Sequence, residues 1–374
     1  MTIHVVKASD TVDSIAKTYG ISTDKIIYDN QLIYPFRLAV GQALLISNGN
    51  DKPVKRIDVN GYAYPFISNW VLEETLPYLT ELSVFSYGFT PEGDLIPPPL
   101  DTTVMIDKAK EFKVLPILTL TPFGLDGKFN NQLISALVND PKAQQNLIDQ
   151  LIKELKEKGY GGVDIDFEYI LPTDRDAFTS FVKNVTQTLN KLSYQVSVAL
   201  APKSAVSQKG LLYEGKDYGG LGAAANHVLL MTYEWGYTYG PPMAVAPITQ
   251  IRKVVEYAVT EIPAEKINIG IPNYGYDWPL PFEQGVTKAK TIGNVEAVRL
   301  AIEQGVEIMY DEVEQSPFFR YWQDNIQHEV WFEDVRSLQA KFDLIKEFNL
   351  RGAGYWHIMQ LFRANWILLR DNFL

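Results

Sequence analysis

From Lys55 to the C-terminus the chain alternates short, nearly unbroken apolar runs with stretches in which apolar residues return every third or fourth position. The runs read RIDVNGYAY, ELSVFSYGF, KVLPILTLT, GGVDIDFEY, QVSVALA, HVLLMTY, INIGIP and GAGYWHI. Runs of this kind predict parallel strands covered on both faces, and the 3.6-residue periods between them predict amphipathic crossover helices. Two such helices are expected over Ala143 to Lys158, with Leu147, Leu151, Ile152 and Leu155 on one stripe, and over Asp176 to Leu192. Eight strands with helical crossovers predict an α/β fold, a (β/α)8 TIM barrel over residues 55–374, with a doubly wound open sheet as the second choice. One interval is too long for a crossover. About residues 279–335, strand-like alternation broken by polar residues from Gln323 to Gln327 predicts a small α+β insertion after the seventh strand, over the barrel mouth.

Ahead of the barrel, residues 1–48 have a pattern of their own. IHVVK reads as a strand, and ASDTVDSIAKTYG as a turn, an N-cap at Ser9 or Asp10, a helical face at Val12, Ile15 and Ala16, and a stop at Gly20. STDKIIYDN gives a second cap and helix, and LAVGQALLI a closing strand, so the module is βααβ. The polar, Gly/Pro-rich SNGNDKP predicts a linker, placed at 49–54.

Composition narrows the function. A hydrophobic fraction of 46% supports a large core, and 21 tyrosines with 7 tryptophans are suggestive of an aromatic-lined cleft, although extra packing would also account for them. A net charge of −11 without a basic run argues against a nucleic-acid partner. With no cysteine there is no thiolate site, and the four histidines lack metal-ligand spacing, so neither a metal nor a cofactor is expected. No apolar stretch is long enough to span a membrane, and MTIHVVKASDTVDS lacks a signal-peptide layout, so a soluble chain is expected.

Within GGVDIDFEY, side chains two apart share a face at about 6.6 Å spacing, so Asp164, Asp166 and Glu168 form a file. Val163, Ile165, Phe167 and Tyr169 between them suit the outer layer against the helices, which turns the acids into the barrel. Three carboxylates there repel, titrate as a coupled set, and leave Glu168, nearest the C-terminal end, as candidate proton donor. An exposed edge strand or a divalent-cation site would also carry Asp-x-Asp-x-Glu. Cation loops, however, favour Gly and Asn over Val, Ile and Phe. GLGAAA (220–225) follows no strand and is discounted as a dinucleotide motif, and the Asn184 sequon lies in a predicted helix.

The N-terminal module resembles the lysin motif (LysM), through VVKASDTVDSIAKTYGIS, the Asn30-Gln31-Leu32 turn and LAVGQALLI, with Ser9 where the motif usually has Gly. The resemblance implies a groove for N-acetylglucosamine chains formed by Ser9, Asp10, Thr11 and Asp13 on one side and Asn30, Leu32 and Ile33 on the other. The same Ser-Asp-Thr turn would serve any small helix as a cap.

The acid file resembles the glycoside hydrolase family eighteen signature Asp-Gly-x-Asp-x-Asp-x-Glu at Gly162, Asp164, Asp166 and Glu168, with Gly161 in place of the first Asp. LMTYEWG with Tyr233 and GAGYWHI with Trp356 add separate matches. GIPNYGYDWPLPF, QSPFFRYW and HEVWFEDVRSLQAKFDLIKEFNLRGAGYW, behind a LysM, resemble the spore cortex-lytic N-acetylglucosaminidases, with YWHIM where YWKLG is expected. The resemblance implies retaining, substrate-assisted hydrolysis in which the sugar's own acetamido oxygen is the nucleophile. Glu168 would donate the proton and Asp166 hold the acetamido N–H. Asp164 would share a proton with Asp166, Tyr233 bind the acetamido carbonyl, and Trp356 floor the sugar. Tyr62, Tyr87, Trp235, Tyr274, Tyr276 and Asp277, at other predicted strand ends, are further subsite candidates. The expected partner is peptidoglycan or another N-acetylglucosamine glycan, with the protein monomeric and associated with the spore or cell wall. A chitinase and a non-catalytic glycan-binding protein are the alternatives.

Overall fold

The computed structural model describes residues 1–49, 53 and 55–373; the linker expected at 49–54 lies outside the described residues apart from Gly49 and Pro53. Eight strands form the centre: β1 (Asp58–Ala63), β2 (Glu81–Phe89), β3 (Leu115–Leu120), β4 (Gly162–Ile165), β5 (Gln195–Leu200), β6 (His227–Leu230), β7 (Ile267–Pro272) and β8 (Gly352–Trp356). Each pairs in parallel with the next, and β8 closes on β1. The barrel is therefore closed, and the open sheet is excluded.

Its strands are buried on both faces. Val163, Ile165, Val196 and Val198 meet the helix layer with essentially no exposure. The helix Pro141–Lys158 starts on an Asp140 cap and ends at Gly159 in the left-handed conformation, and it buries Leu147, Leu151 and Leu155. Arg175–Asn190 buries Phe178, Phe181, Val182 and Val185 in the same layer.

The insertion begins earlier than expected. Gly275–Pro279 leaves β7 and pairs antiparallel with Ile326–Trp331, inside a five-stranded sheet completed by Lys290–Ile292, Met309–Asp311 and Ser316–Gln323. The helix Asn294–Gln304 packs Ala297 and Ala301 against Phe319 and Val330 of that sheet. The polar break is a two-residue hairpin, with Asp324 and Asn325 both at positive φ, 50° and 63°.

In the N-terminal module Thr2–Val5 pairs with Ala43–Ile46 around the helices Val12–Tyr19 and Thr23–Asp29. The first cap is Thr11, not Ser9 or Asp10: Thr11 Oγ1 accepts the Ser14 N–H, and Ser14 Oγ accepts the Thr11 N–H. Asp10 instead accepts from the Lys7 N–H and contacts His4 Nε2. Ser9 sits at φ 70°, the region Gly adopts most readily, so the loop keeps its shape despite the substitution.

This module is docked on the rest of the chain. The Arg363 guanidinium lies 3.9 Å from the Tyr28 ring centroid and pairs with Glu74, while its backbone N–H donates to Gln31 at 2.6 Å. Ser47 donates to Asp371 at 2.5 Å, Arg336 to the Gly41 carbonyl at 3.1 Å, and the Ile308 N–H to the Val40 carbonyl at 2.9 Å. Among the described residues no helix is long and apolar enough to cross a membrane.

Candidate active site

The acid file emerges at the C-terminal end of β4. Its first member, Asp164, is flanked in register by Thr119 and Ser197 and is buried inside the barrel. Tyr62 donates to its Oδ2 at 2.8 Å and Ser197 to its Oδ1 at 2.6 Å. Burial raises the Asp164 carboxyl, and these two hydrogen bonds oppose the rise. Both oxygens are thus engaged and no hydrogen bond joins Asp164 to Asp166, so the shared proton has no bridge in this geometry. The two acids interact through charge.

Beyond Ile165 the chain leaves the strand, although the Asp166 N–H still donates to the Leu120 carbonyl at 2.9 Å. Asp166 is 8% exposed, and its buried Oδ1 has no hydrogen-bond partner. Burial pushes its carboxyl well above the usual range, and the charges of Glu168 and Asp164 add to the push. Glu168, half-buried, is also raised by burial. Lys216 opposes that rise and Glu234 reinforces it.

Both acids line a cleft of about 650 Å³ at the barrel mouth, together with Tyr233, Trp235, Tyr276 and Trp356. Trp356, ending β8, meets Phe85 edge-on at 4.8 Å and Tyr62 at 5.8 Å. Tyr62 itself lies below the cleft, engaged with Asp164. Tyr274 is buried behind the cleft wall, where its hydroxyl donates to Glu234; Tyr276 donates to the same carboxylate at 2.9 Å. The sequence reading missed Glu234, although an acid directly after strand-end Tyr233 was a usable signal. His357, the departure in YWHIM, stacks on Tyr274 with ring centroids 6.2 Å apart.

Three expected positions are corrected. Tyr87 points outward, bonded to Glu154 at 2.9 Å and Tyr160 at 3.2 Å, because a register shift between Val84 and Tyr87 reverses the alternation of β2. Asp277 faces the far side of the insertion sheet from Tyr276, held by Tyr321 at 2.6 Å and His328 at 2.8 Å. Tyr169 lines the cleft rather than the helix layer, since strand alternation ends at Ile165.

The two glycines ahead of the acids have a steric basis. A Cβ on Gly162 would lie 2.4 Å from the Gln195 carbonyl oxygen of β5. One on Gly161 would lie 2.1 Å from Leu115 Cδ1, so the Asp expected there is incompatible with Leu115 as it stands.

In the N-terminal module Ser9 and Asp13 are exposed, and Ile33 is 53% exposed. Asn30 is occupied internally. Its amide donates to the Ile26 and Leu45 carbonyls, and its oxygen accepts the Leu45 N–H at 2.7 Å, so it shapes the loop carrying Leu32 and Ile33. That loop faces the helix Asn294–Gln304 across a cavity of about 260 Å³, remote from the acids.

The chain belongs to the glycosyl hydrolases family 18, whose model matches residues 123–360, and the LysM domain model matches residues 4–47. It is a glycoside hydrolase. Among its relatives, the cortical fragment-lytic enzyme of Bacillus subtilis (strain 168) is 39% identical over 428 residues, covering 100% of this chain and 98% of the relative. The enzyme of that name from Bacillus cereus is 37% identical over 425 residues, with 99% and 98% covered. The crystal structure of the Bacillus megaterium spore cortex-lytic enzyme SleL matches with a TM-score of 0.93 at 36% identity, covering 100% of this chain and 98% of that one.

Proposed function

We propose that this hydrolase cleaves β-1,4 bonds at N-acetylglucosamine in spore cortex peptidoglycan, with retention and with the substrate's acetamido group as nucleophile. The observation that carries the mechanism is the unpartnered buried Oδ1 of Asp166 beside Glu168. An acetamido N–H supplies the donor it lacks, and the bond aims the acetamido oxygen at the anomeric carbon. Glu168, whose proton burial holds more tightly, gives that proton to the glycosidic oxygen as the C–O bond breaks. The acetamido oxygen closes an oxazolinium ring. Glu168, now a carboxylate, takes a proton from the water that opens it.

Asp164 and Asp166 stabilise the positive charge on that ring, Tyr233 orients the acetamido carbonyl, and Trp356 with Phe85 forms an apolar floor. The remaining cleft carboxylate, Glu234, is engaged by Tyr274 and Tyr276. The cortical relatives support the choice of substrate. The LysM holds the enzyme on peptidoglycan, which places it at the spore or cell wall.

Mass spectrometry of cortex muropeptides treated with wild type and Glu168→Gln tests the assignment. Glutamine can neither give nor regain the proton, so undiminished cleavage by the variant rejects it. A thiazoline mimic of the oxazolinium should inhibit hydrolysis; continued hydrolysis at saturating thiazoline means a protein nucleophile. Faster turnover of chitin oligomers than of cortex fragments makes the enzyme a chitinase.

A further inference from the structure

Lys216 lies between β5 and the helix Tyr218–Ala224, and its side chain is wholly buried. Its Nζ donates to the carbonyl of Phe167, the residue between Asp166 and Glu168, and to the Ala199 carbonyl of β5 at 3.3 Å. It also lies 5.3 Å from the Phe178 ring centroid. Both hydrogen-bond partners are neutral. An ammonium taken out of water needs more than two carbonyls to offset the loss, and a neutral donor would hold them as well.

We propose that Lys216 is a positioning residue for catalysis: its buried ammonium fixes the backbone between Asp166 and Glu168 and supplies the positive field that lets this acid pair ionise. This rests on the catalytic reading of those two acids.

The surrounding charges support the assignment. Asp166 faces Asp164, Glu168 and Lys216, and Glu168 faces Lys216 and Glu234, so Lys216 is the cation acting on both. Asp164 is under the influence of His227 and Glu81 instead. Lys203 donates to the Lys216 carbonyl at 3.1 Å, but its own field partners are Arg175, Asp217 and Glu261. The hydroxyls of Tyr62, Tyr64 and Tyr233 stay neutral, each raised by burial. Burial draws Lys216 down to about 8, against the pull of the two acids, so at neutral pH it is cationic.

The pH profile of kcat/KM on soluble cortex fragments, measured for Lys216→Met, Lys216→Gln and Lys216→Arg, separates field from clamp. Glutamine keeps a donor and loses the charge, while arginine keeps the charge. Loss of the cation raises both carboxyl pKa values. Both limbs of the profile should therefore move up by about one pH unit in the Met and Gln variants and stay in place in the Arg variant. If the Met variant does not fold, the comparison of Gln with Arg decides. Unmoved limbs with a uniformly lower kcat in the Gln variant overturn the proposal and leave Lys216 a structural clamp. Failure of the acid assignment itself would instead appear as activity in Glu168→Gln.

Discussion

The Tyr62 hydroxyl on β1 reaches across the barrel interior to Asp164 on β4, at 2.8 Å. It holds the innermost acid in place beneath the other two. Tyr62→Phe keeps the ring beneath Trp356 and removes that donor. Because the bond lowers the Asp164 pKa, its loss raises it. A less charged Asp164 opposes the ionisation of Asp166 less, so the acid limb of kcat/KM should shift to lower pH, and the buried oxygen left without a donor should cost about 1–3 kcal/mol of stability, read from denaturant unfolding.

Asp166 trades stability for function. Its folded-state pKa lies well above its unfolded value, so the folded state binds the proton more tightly. Stability therefore falls as pH rises from the unfolded pKa, about 3.9, toward the folded one. Asp166→Asn removes the ionisation. It should stabilise the protein by about 1–3 kcal/mol at neutral pH. The gain should vanish below about pH 4, and activity should drop about 100-fold or more. Thermal melts across pH 3–8 check the sign.

Glu234 works against Lys216. Its charge raises Glu168, so Glu234→Gln lowers the Glu168 pKa and moves the basic limb of the rate profile to lower pH. The direction is opposite to that of the Lys216 variants, and a titration of kcat/KM on one substrate distinguishes the two.

Two N-terminal positions should respond in opposite senses. Ser9→Gly relieves a left-handed backbone and should stabilise the module by about 0.5–1 kcal/mol. Asn30→Ala strips three internal hydrogen bonds from the loop before the closing strand and should cost about 2–4 kcal/mol. Hydrogen exchange over residues 1–48 reads both.

Much of this was legible in the sequence because barrel strands are covered on both faces and so read as unbroken apolar runs. All eight strands lie within the predicted runs, and the buried acids Asp164 and Asp166 were marked by their place among bulky neighbours. The misplaced residues fail where alternation is interrupted. A register shift turned Tyr87 outward, and the end of β4 freed Tyr169 toward the cleft. Asp277 was misread because Gly275–Pro279 had joined a different sheet. Lys216 carried no periodic signal, since its partners are carbonyls of distant segments brought close by closure of the barrel.

The docking of the N-terminal module changes what it contributes. A module on a slack tether raises the local concentration of substrate in every direction within reach. Held by Arg363, Ser47 and Arg336 instead, it stands at one distance and one angle from Glu168. The protein is then a ruler rather than a leash. On the proposed reading, in which the module grips a glycan strand, the acids would meet a bond at a set number of sugars from the anchor, and strands too short to span that interval would gain nothing from it.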